Sequence, residues 1–273
     1  MGDRLFNGIL VEGVGHDAVG NLQIDAYLAE PPSPQHGNDR SAQPPQADRH
    51  PAIIVIQEIF GVNSHIRDVT DRFAKLGYVA IAPAIYQRIA PGFETGYTPE
   101  DIQLGRKYKE QTRVDELLSD IRSTIAYLSA KPNVDPDAIG CIGFCFGGLV
   151  VYLAATLPEI KATASFYGAG ISNWSPGIGE SSGKPTIAYT PEIKGTLYGF
   201  FGMEDPSIPP DHVDQIEAAL QQSTIPHRIF RYANAQHGFF CDQRSSYQPE
   251  AAADAWNRVQ ELFSSVLDNH AKA

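Results

Sequence analysis

The stretch Gly143-Phe144-Cys145-Phe146-Gly147 constrains this chain more than any other feature. It joins a short apolar run, Ile139 to Phe144, to a helical one, Gly147 to Thr156, so the backbone must pass from strand to helix across the cysteine. Glycine two residues to either side leaves room for so sharp a turn, and Gly148 relieves crowding further. A side chain at the apex of such an elbow stands exposed above the sheet, and the N–H groups that open the following helix point where an oxyanion could sit. A thiol held there is placed for chemistry rather than for packing.

The remaining chain supplies the sheet that the elbow needs. Ile53 to Gln57 and Tyr78 to Ala82 are continuous apolar runs of the kind that form strands covered on both faces, the second closed by Pro83. Further strands are expected at Ala162 to Tyr167, Thr196 to Phe201 and His227 to Tyr232. Ile66, Val69, Phe73 and Leu76 recur at helical spacing over His65 to Leu76, and Val114, Leu117, Leu118, Ile121, Ile125 and Leu128 draw a longer stripe. Helices also fit Asp211 to Gln222 and about Glu250 to Leu267. Strands alternating with helices place the chain in the α/β class, with a mostly parallel central sheet and helices on both faces.

Residues 8–29 read as a hairpin, with Leu22, Ile24, Ala26 and Leu28 alternating with polar neighbours and a turn from His16 to Gly20. Residues 30–50 hold Pro31, Pro32, Pro34, Pro44 and Pro45 among Ser, Gln, Gly and Asp, a composition that builds no core and is expected to form a mobile surface insertion. The Gly-, Ser- and Pro-rich segment from Ile171 to Ile193 is a long excursion of the kind that forms lids or pocket walls. With no repeat and no second core, residues 1–273 are expected to be a single α/β domain.

Charge excludes several functions. The chain carries 21 basic and 32 acidic residues, a formal net charge of −11, and no basic run, which argues against nucleic acid and against an anionic membrane surface as partners. No apolar stretch approaches the ~20 residues that span a bilayer, and Asp3, Arg4 and Asn7 break up the apolar block that a signal peptide requires. Three cysteines, Cys141, Cys145 and Cys241, do not suggest a disulfide framework. The expectation is a cytoplasmic monomer acting on a small molecule.

Ligands of open α/β sheets bind beyond the carboxyl ends of the strands, and three further candidates lie at such ends. Glu58 follows Ile53 to Gln57, Asp205 follows Thr196 to Phe201, and His237 follows His227 to Tyr232. A thiol with a pKa of about 8.5 is a weak nucleophile at neutral pH until a base draws off its proton. Histidine is the natural base, and a carboxylate on its other nitrogen fixes the tautomer. Of eight histidines only His237 occupies such a loop; His65, His212 and His227 sit at element starts, where surface roles are common. Glu204 competes with Asp205, but Pro206 and Pro209 suggest a turn that presents Asp205 rigidly. Cys141 reads as core, and Cys241 as a pocket or core residue.

The chain resembles the dienelactone hydrolase (carboxymethylenebutenolidase) family, of α/β-hydrolase fold. The resemblance rests on Gln57-Glu58-Ile59-Phe60-Gly61-Val62-Asn63, Gly143-Phe144-Cys145-Phe146-Gly147-Gly148 and Pro191-Glu192-Ile193-Lys194, then on Gly202-Met203-Glu204-Asp205-Pro206 and Gln236-His237-Gly238-Phe239. It implies that Cys145 is the nucleophile, His237 its base and later acid, and Asp205 the orienting carboxylate. It implies an oxyanion hole from the backbone N–H groups of Ile59 and Phe146. Glu58 would be the family's extra carboxylate, helping to take the thiol proton when substrate displaces a neighbouring contact. No metal or organic cofactor is implied.

One departure concerns the substrate. Family members that cleave dienelactone hold its carboxylate with arginines, one of them four residues after the histidine, where this chain has Cys241. Arg88, Arg106 and Arg244 are the candidate substitutes, and Tyr86, Trp174 and Phe239 are candidate pocket walls. The expected activity is hydrolysis of small esters or enol-lactones through an acyl-thioester on Cys145. A glutamine amidotransferase would need a glutamate two residues after the histidine, where Phe239 stands. A non-catalytic or redox-sensing binding protein on the same fold would keep the elbow but lose part of the triad, all of whose members are present here.

Overall fold

Strands buried on both faces must be continuous in apolar character, and that character organises the sheet. The computed structural model describes residues 9–11, 23–32, 49–177 and 184–268. Its strands are β1 (Ile9–Val11), β2 (Ala26–Ala29), β3 (His50–Ile56), β4 (Val79–Pro83), β5 (Val134–Phe144), β6 (Ile160–Phe166), β7 (Thr196–Gly202) and β8 (His227–Tyr232). They form one sheet in the order β1-β2-β4-β3-β5-β6-β7-β8. Pairings from β4 through β8 are parallel, whereas β1 to β2 and β2 to β4 are antiparallel. The expected N-terminal hairpin thus appears as Ile9 paired with Leu28 and Val11 with Ala26. Its turn, His16 to Gly20, and most of the Pro-rich insertion lie outside the described residues.

The helices are α1 (Ser64–Lys75), α2 (Pro99–Lys109), α3 (Val114–Ser129), α4 (Phe146–Ala154), α5 (Pro210–Gln222) and α6 (Pro249–Leu267). On one face of the sheet α1 meets α6, with the Phe73 and Phe263 rings 5.6 Å apart; α3 and α4 pack together on the other. Between Ile171 and Ile193 the described residues form a 3₁₀ helix, Thr186–Glu192, while residues 178–183 lie outside the description. No helix among the described residues is long and apolar enough to cross a membrane.

Register brings the strand ends level. Ile56 pairs with Gly143, Phe144 with Phe166, Phe166 with Phe200, and Gly202 with Tyr232. Four of these ends carry a ladder of rings: Phe144 to Phe166 at 5.0 Å, Phe166 stacked on Phe200 at 4.3 Å, and Phe200 stacked on Phe230 at 5.0 Å. Such contacts add to simple area burial and resist independent movement of neighbouring strands. Phe166, fully buried at the centre of this ladder, is therefore a sensitive probe of the sheet. Phe166→Ala should lower unfolding free energy by about 3–5 kcal/mol, read from the shift in urea midpoint; a change under about 1 kcal/mol would show that the ladder carries no such weight.

Candidate active site

The elbow begins where β5 ends. Cys145 has φ 55° and ψ −114°, a conformation that costs an L-residue about 1–3 kcal/mol and persists only where neighbours impose it. Its N–H donates to the Phe166 carbonyl at 3.0 Å, and its carbonyl accepts from the N–H groups of Gly148 and Leu149 at 3.0 and 3.3 Å. The crossing of strand and helix is too close for side chains. A Cβ on Gly143 would overlap the carbonyl oxygen of Gly147, and one on Gly147 would lie 2.5 Å from the carbonyl oxygens of Ile56 and Gln57. Helix α4, buried along its length, therefore starts directly behind the thiol and aims its N-terminal N–H groups at that end of the sheet.

The loops after β7 and β8 bring the histidine and its carboxylate together. His237 Nδ1 lies 2.6 Å from Asp205 Oδ2, and Asp205 Oδ1 accepts the Ser207 N–H at 2.8 Å. Asp205 is buried, whereas Glu204 is exposed, so the turn presents the first and turns the second outward. Cys145 and His237 line one cavity, and the sulfur acts on the proton affinity of the imidazole. Tyr167 crosses the imidazole edge-on with centroids 5.2 Å apart. Burial alone would drive the His237 pKa down. The charge of the Cys145 sulfur, the bond to Asp205, the bond to Cys145 and the Asp205 charge outweigh it and carry the pKa to about 10.

Glu58 follows β3 and is 1% exposed. Its Oε1 accepts from Arg244 Nη1 at 2.9 Å, while Oε2 is buried without a hydrogen-bond partner among the described residues. The Arg244 guanidinium also lies 5.8 Å from the ring centroids of both Phe60 and Tyr97. Burial works against its charge, but the Glu58 carboxylate more than compensates, so its pKa is held above the ordinary arginine value. Cys241, at the position four after the histidine, is buried and donates to the Tyr97 hydroxyl at 3.3 Å. Burial first and Glu58 second push its thiol up to about 12. Glu58, His65 and Cys241 offer ligand atoms within 4.8 Å of one another. A cation there would compete with the guanidinium already on Glu58 and would have to draw off a tightly held thiol proton, so this donor set is poorly suited to a metal.

A cavity of about 450 Å³ opens over these groups. Cys145, Phe146 and His237 line it together with Ile59, Phe60 and Arg244. Helix α2 closes it with Ile102, Arg106 and Lys109, joined by the helix's C-cap residue Glu110. This helix was not evident from apolar spacing, because Gly105 is its one buried residue. Its start is nonetheless written in Thr98-Pro99-Glu100-Asp101: Thr98 Oγ1 accepts the Asp101 N–H at 3.2 Å, Asp101 Oδ2 accepts the Thr98 N–H at 3.0 Å, and Pro99 occupies the first turn. A Cβ on Gly105 would overlap the Ile59 carbonyl oxygen, so glycine lets α2 lie directly on the loop after β3.

Several sequence candidates are placed elsewhere. Arg88 binds Asp120 of α3 at 2.5 Å and does not line the cavity, which removes it as a ligand for substrate in this arrangement. Tyr86 stacks on Phe146 at 6.0 Å and directs its hydroxyl to the Gly105 carbonyl, and Phe239 is buried against Tyr167 and Tyr232. Trp174 packs edge-on against Phe146 and lies beneath Lys109. These three rings support the cavity wall from behind and do not face into it. His65, expected near the surface, is buried between Phe144 and Phe240.

The chain is similar to known proteins over most of its length. Residues 39–267 match the model of the dienelactone hydrolase family. A Synechocystis sp. protein named "Putative carboxymethylenebutenolidase" is 60% identical over 247 residues, covering 90% of this chain and 94% of its own. A Bradyrhizobium sp. protein named "Probable 2-oxo-3-(5-oxofuran-2-ylidene)propanoate lactonase" is 30% identical and covers 80% of this chain and 85% of its own. The crystal structure of a "Putative Dienelactone Hydrolase" from Klebsiella pneumoniae superposes with a TM-score of 0.76 at 30% identity, covering 94% of this chain and 98% of that one.

The charge arrangement around His237 makes a spectroscopic test. Imidazole ¹⁵N NMR should show His237 holding both protons through neutral pH and losing one as pH rises through about 10. In Cys145→Ala the two contributions of the sulfur vanish while burial remains, so the titration should move to lower pH. An unmoved midpoint would mean that Asp205 alone sets the proton affinity.

Proposed function

The chain belongs to the dienelactone hydrolase family, and from that premise we propose that it is a cysteine-dependent hydrolase of small esters or enol-lactones with Cys145, His237 and Asp205 as its catalytic triad. The observation that carries the proposal is the placement of His237 between Asp205, at 2.6 Å, and the thiol at the apex of a strained elbow. Residue types, sequence order and hydrogen-bond direction all suit acyl transfer. The lactonase name of the Bradyrhizobium relative favours a lactone among the possible esters.

In the proposed reaction the Cys145 sulfur attacks the carbonyl carbon, and the carbonyl electron pair moves to oxygen. The N–H of Phe146, at the start of α4, and the N–H of Ile59, in the loop against which α2 packs, receive that negative charge. As the tetrahedral species collapses, the bond to the alkoxy oxygen breaks and His237 gives that oxygen its proton. The acyl group is then a thioester on Cys145. Water adds to it, His237 takes the water proton, the carbon–sulfur bond breaks, and the acid departs with the thiolate restored. Asp205 holds the imidazole Nδ1–H throughout and steadies the imidazolium.

Glu58 has a conditional part in this scheme. Its contact with Arg244 occupies one carboxylate oxygen and leaves the other bare in a buried setting. A substrate that draws Arg244 away would free a poorly solvated base at the end of β3, able to take the proton from any molecule whose sulfur still carries one.

Wild type beside Cys145→Ala, screened on short p-nitrophenyl esters, neutral lactones and cis- and trans-dienelactone, tests the core of the proposal. Turnover should fall by about a thousandfold or more in the variant; full activity without the thiol would refute it, and a peroxide-reactive Cys145 with no ester turnover would point to redox sensing instead. Glu58→Gln should keep the fold and lower kcat/KM by about a hundredfold at neutral pH, with a smaller deficit at alkaline pH. A deficit that does not vary with pH would place Glu58 outside proton transfer.

A further inference from the structure

Two buried polar atoms at the site stand unpaired. Glu58 Oε2 is one and the Tyr167 hydroxyl is the other, each without a hydrogen-bond partner among the described residues. Tyr167 is fully buried. A buried phenol usually finds a partner, because an unmet hydroxyl costs stability that phenylalanine would not. Its backbone is constrained as well. The residue stands directly after β6 at φ 35°, in the left-handed region that bulky L-residues rarely adopt, and its N–H donates to the Phe200 carbonyl at 2.8 Å. The ring packs edge-on against the His237 imidazole at 5.2 Å and against Phe239 at 5.4 Å, with Phe144 6.3 Å away. Nothing in that packing calls for a hydroxyl. Burial first, then the charges of Glu58 and Cys241, hold the phenolic proton firmly, with Arg244 opposing them. The group is therefore a donor, set among the charges that surround Glu58.

We propose that the Tyr167 hydroxyl is the second hydrogen-bond partner of Glu58, engaged when Arg244 departs, and that Tyr167 is thereby a positioning residue for this carboxylate. That role rests on the hydrolase reading above and on the conditional part of Glu58 in it. While Arg244 grips Oε1 at 2.9 Å, Oε2 and the phenol remain unpaired. Loss of that grip frees the carboxylate to turn about its own side-chain bonds, whereas the tyrosine ring is fixed by its neighbours. Oε2 then accepts the Tyr167 O–H, and the vacated Oε1 is left to take the proton of a Cys145 that still carries one. A buried carboxylate stripped of every donor would draw a proton from any source and lose its charge. One neutral donor keeps it anionic without restoring the ion pair that held it idle. Tyr167 is not among the residues that line the cavity, so it acts through Glu58 and not on substrate.

Tyr167→Phe removes the hydroxyl and keeps the ring, so its effect can be read with and without Arg244. In otherwise wild-type protein no bond to Glu58 is lost, and the urea midpoint should rise. In Arg244→Met protein, where the carboxylate is free to turn to the phenol, the same substitution should lower the midpoint. Movement in the same direction in both backgrounds overturns the proposal. If Arg244→Met does not fold, kinetics decide. Tyr167→Phe should lower kcat/KM on cis-dienelactone by about tenfold to a hundredfold, yet lower it no further in Glu58→Gln protein. A loss of equal size with and without Glu58, or no loss at all, overturns the proposal as well. Wild-type protein inert to every ester and lactone would end the hydrolase reading alone, and the urea midpoints would still decide whether the phenol receives Glu58.

Discussion

The hydrogen bond from the Cys145 N–H to the Phe166 carbonyl fixes everything above it. A cysteine at φ 55° would relax if it could, and this bond, with the carbonyl contacts to Gly148 and Leu149, denies it the alternative. The cost is tolerable because the elbow is clamped from two strands at once. Ile56 and Gln57 press their carbonyls against Gly147 from one side, and Phe166 receives the amide from the other. The thiol is therefore positioned by backbone, which is stiffer than any side-chain contact.

From that point the site follows by register. Level strand ends set Glu58, Cys145, Asp205 and His237 on the loops after β3, β5, β7 and β8, at the carboxyl end of the sheet. The ladder from Phe144 through Phe166 and Phe200 to Phe230 runs beneath those loops, tying the strand of the thiol to the strand of the histidine. Asp205 needs only a turn and one amide, that of Ser207, to aim its second oxygen at the imidazole. Short connections and rigid ends give the precision that acyl transfer demands.

Much of this was legible in the chain because burial on both faces writes itself as unbroken apolar runs; β3 through β8 were placed to within a few residues for that reason, with β5 extending back to Val134. The elbow, Asp205 and His237 were legible because strand ends and glycines announce them. Helix α2 was not, since it buries one glycine and so carries no stripe, and its capping residues were the available signal. The pairing of Glu58 with Arg244 was hidden by distance, the partners standing 186 positions apart in the chain. Arg88 looked like a ligand because sequence shows charge but not Asp120 folding up against it. His65 looked superficial because helix starts usually are, whereas α1 begins beneath the site.

Helix α2 has a consequence for how such a protein diversifies. It closes the cavity with Ile102, Arg106 and Lys109 yet contributes a single buried position, Gly105, to the interior. Substitutions on its cavity side therefore alter what is admitted while leaving the folding free energy almost untouched, whereas the elbow permits scarcely any change. Selection can thus act on the two independently: the machinery that breaks the bond is held constant by the sheet, and the choice of molecule drifts on a helix that stability does not police.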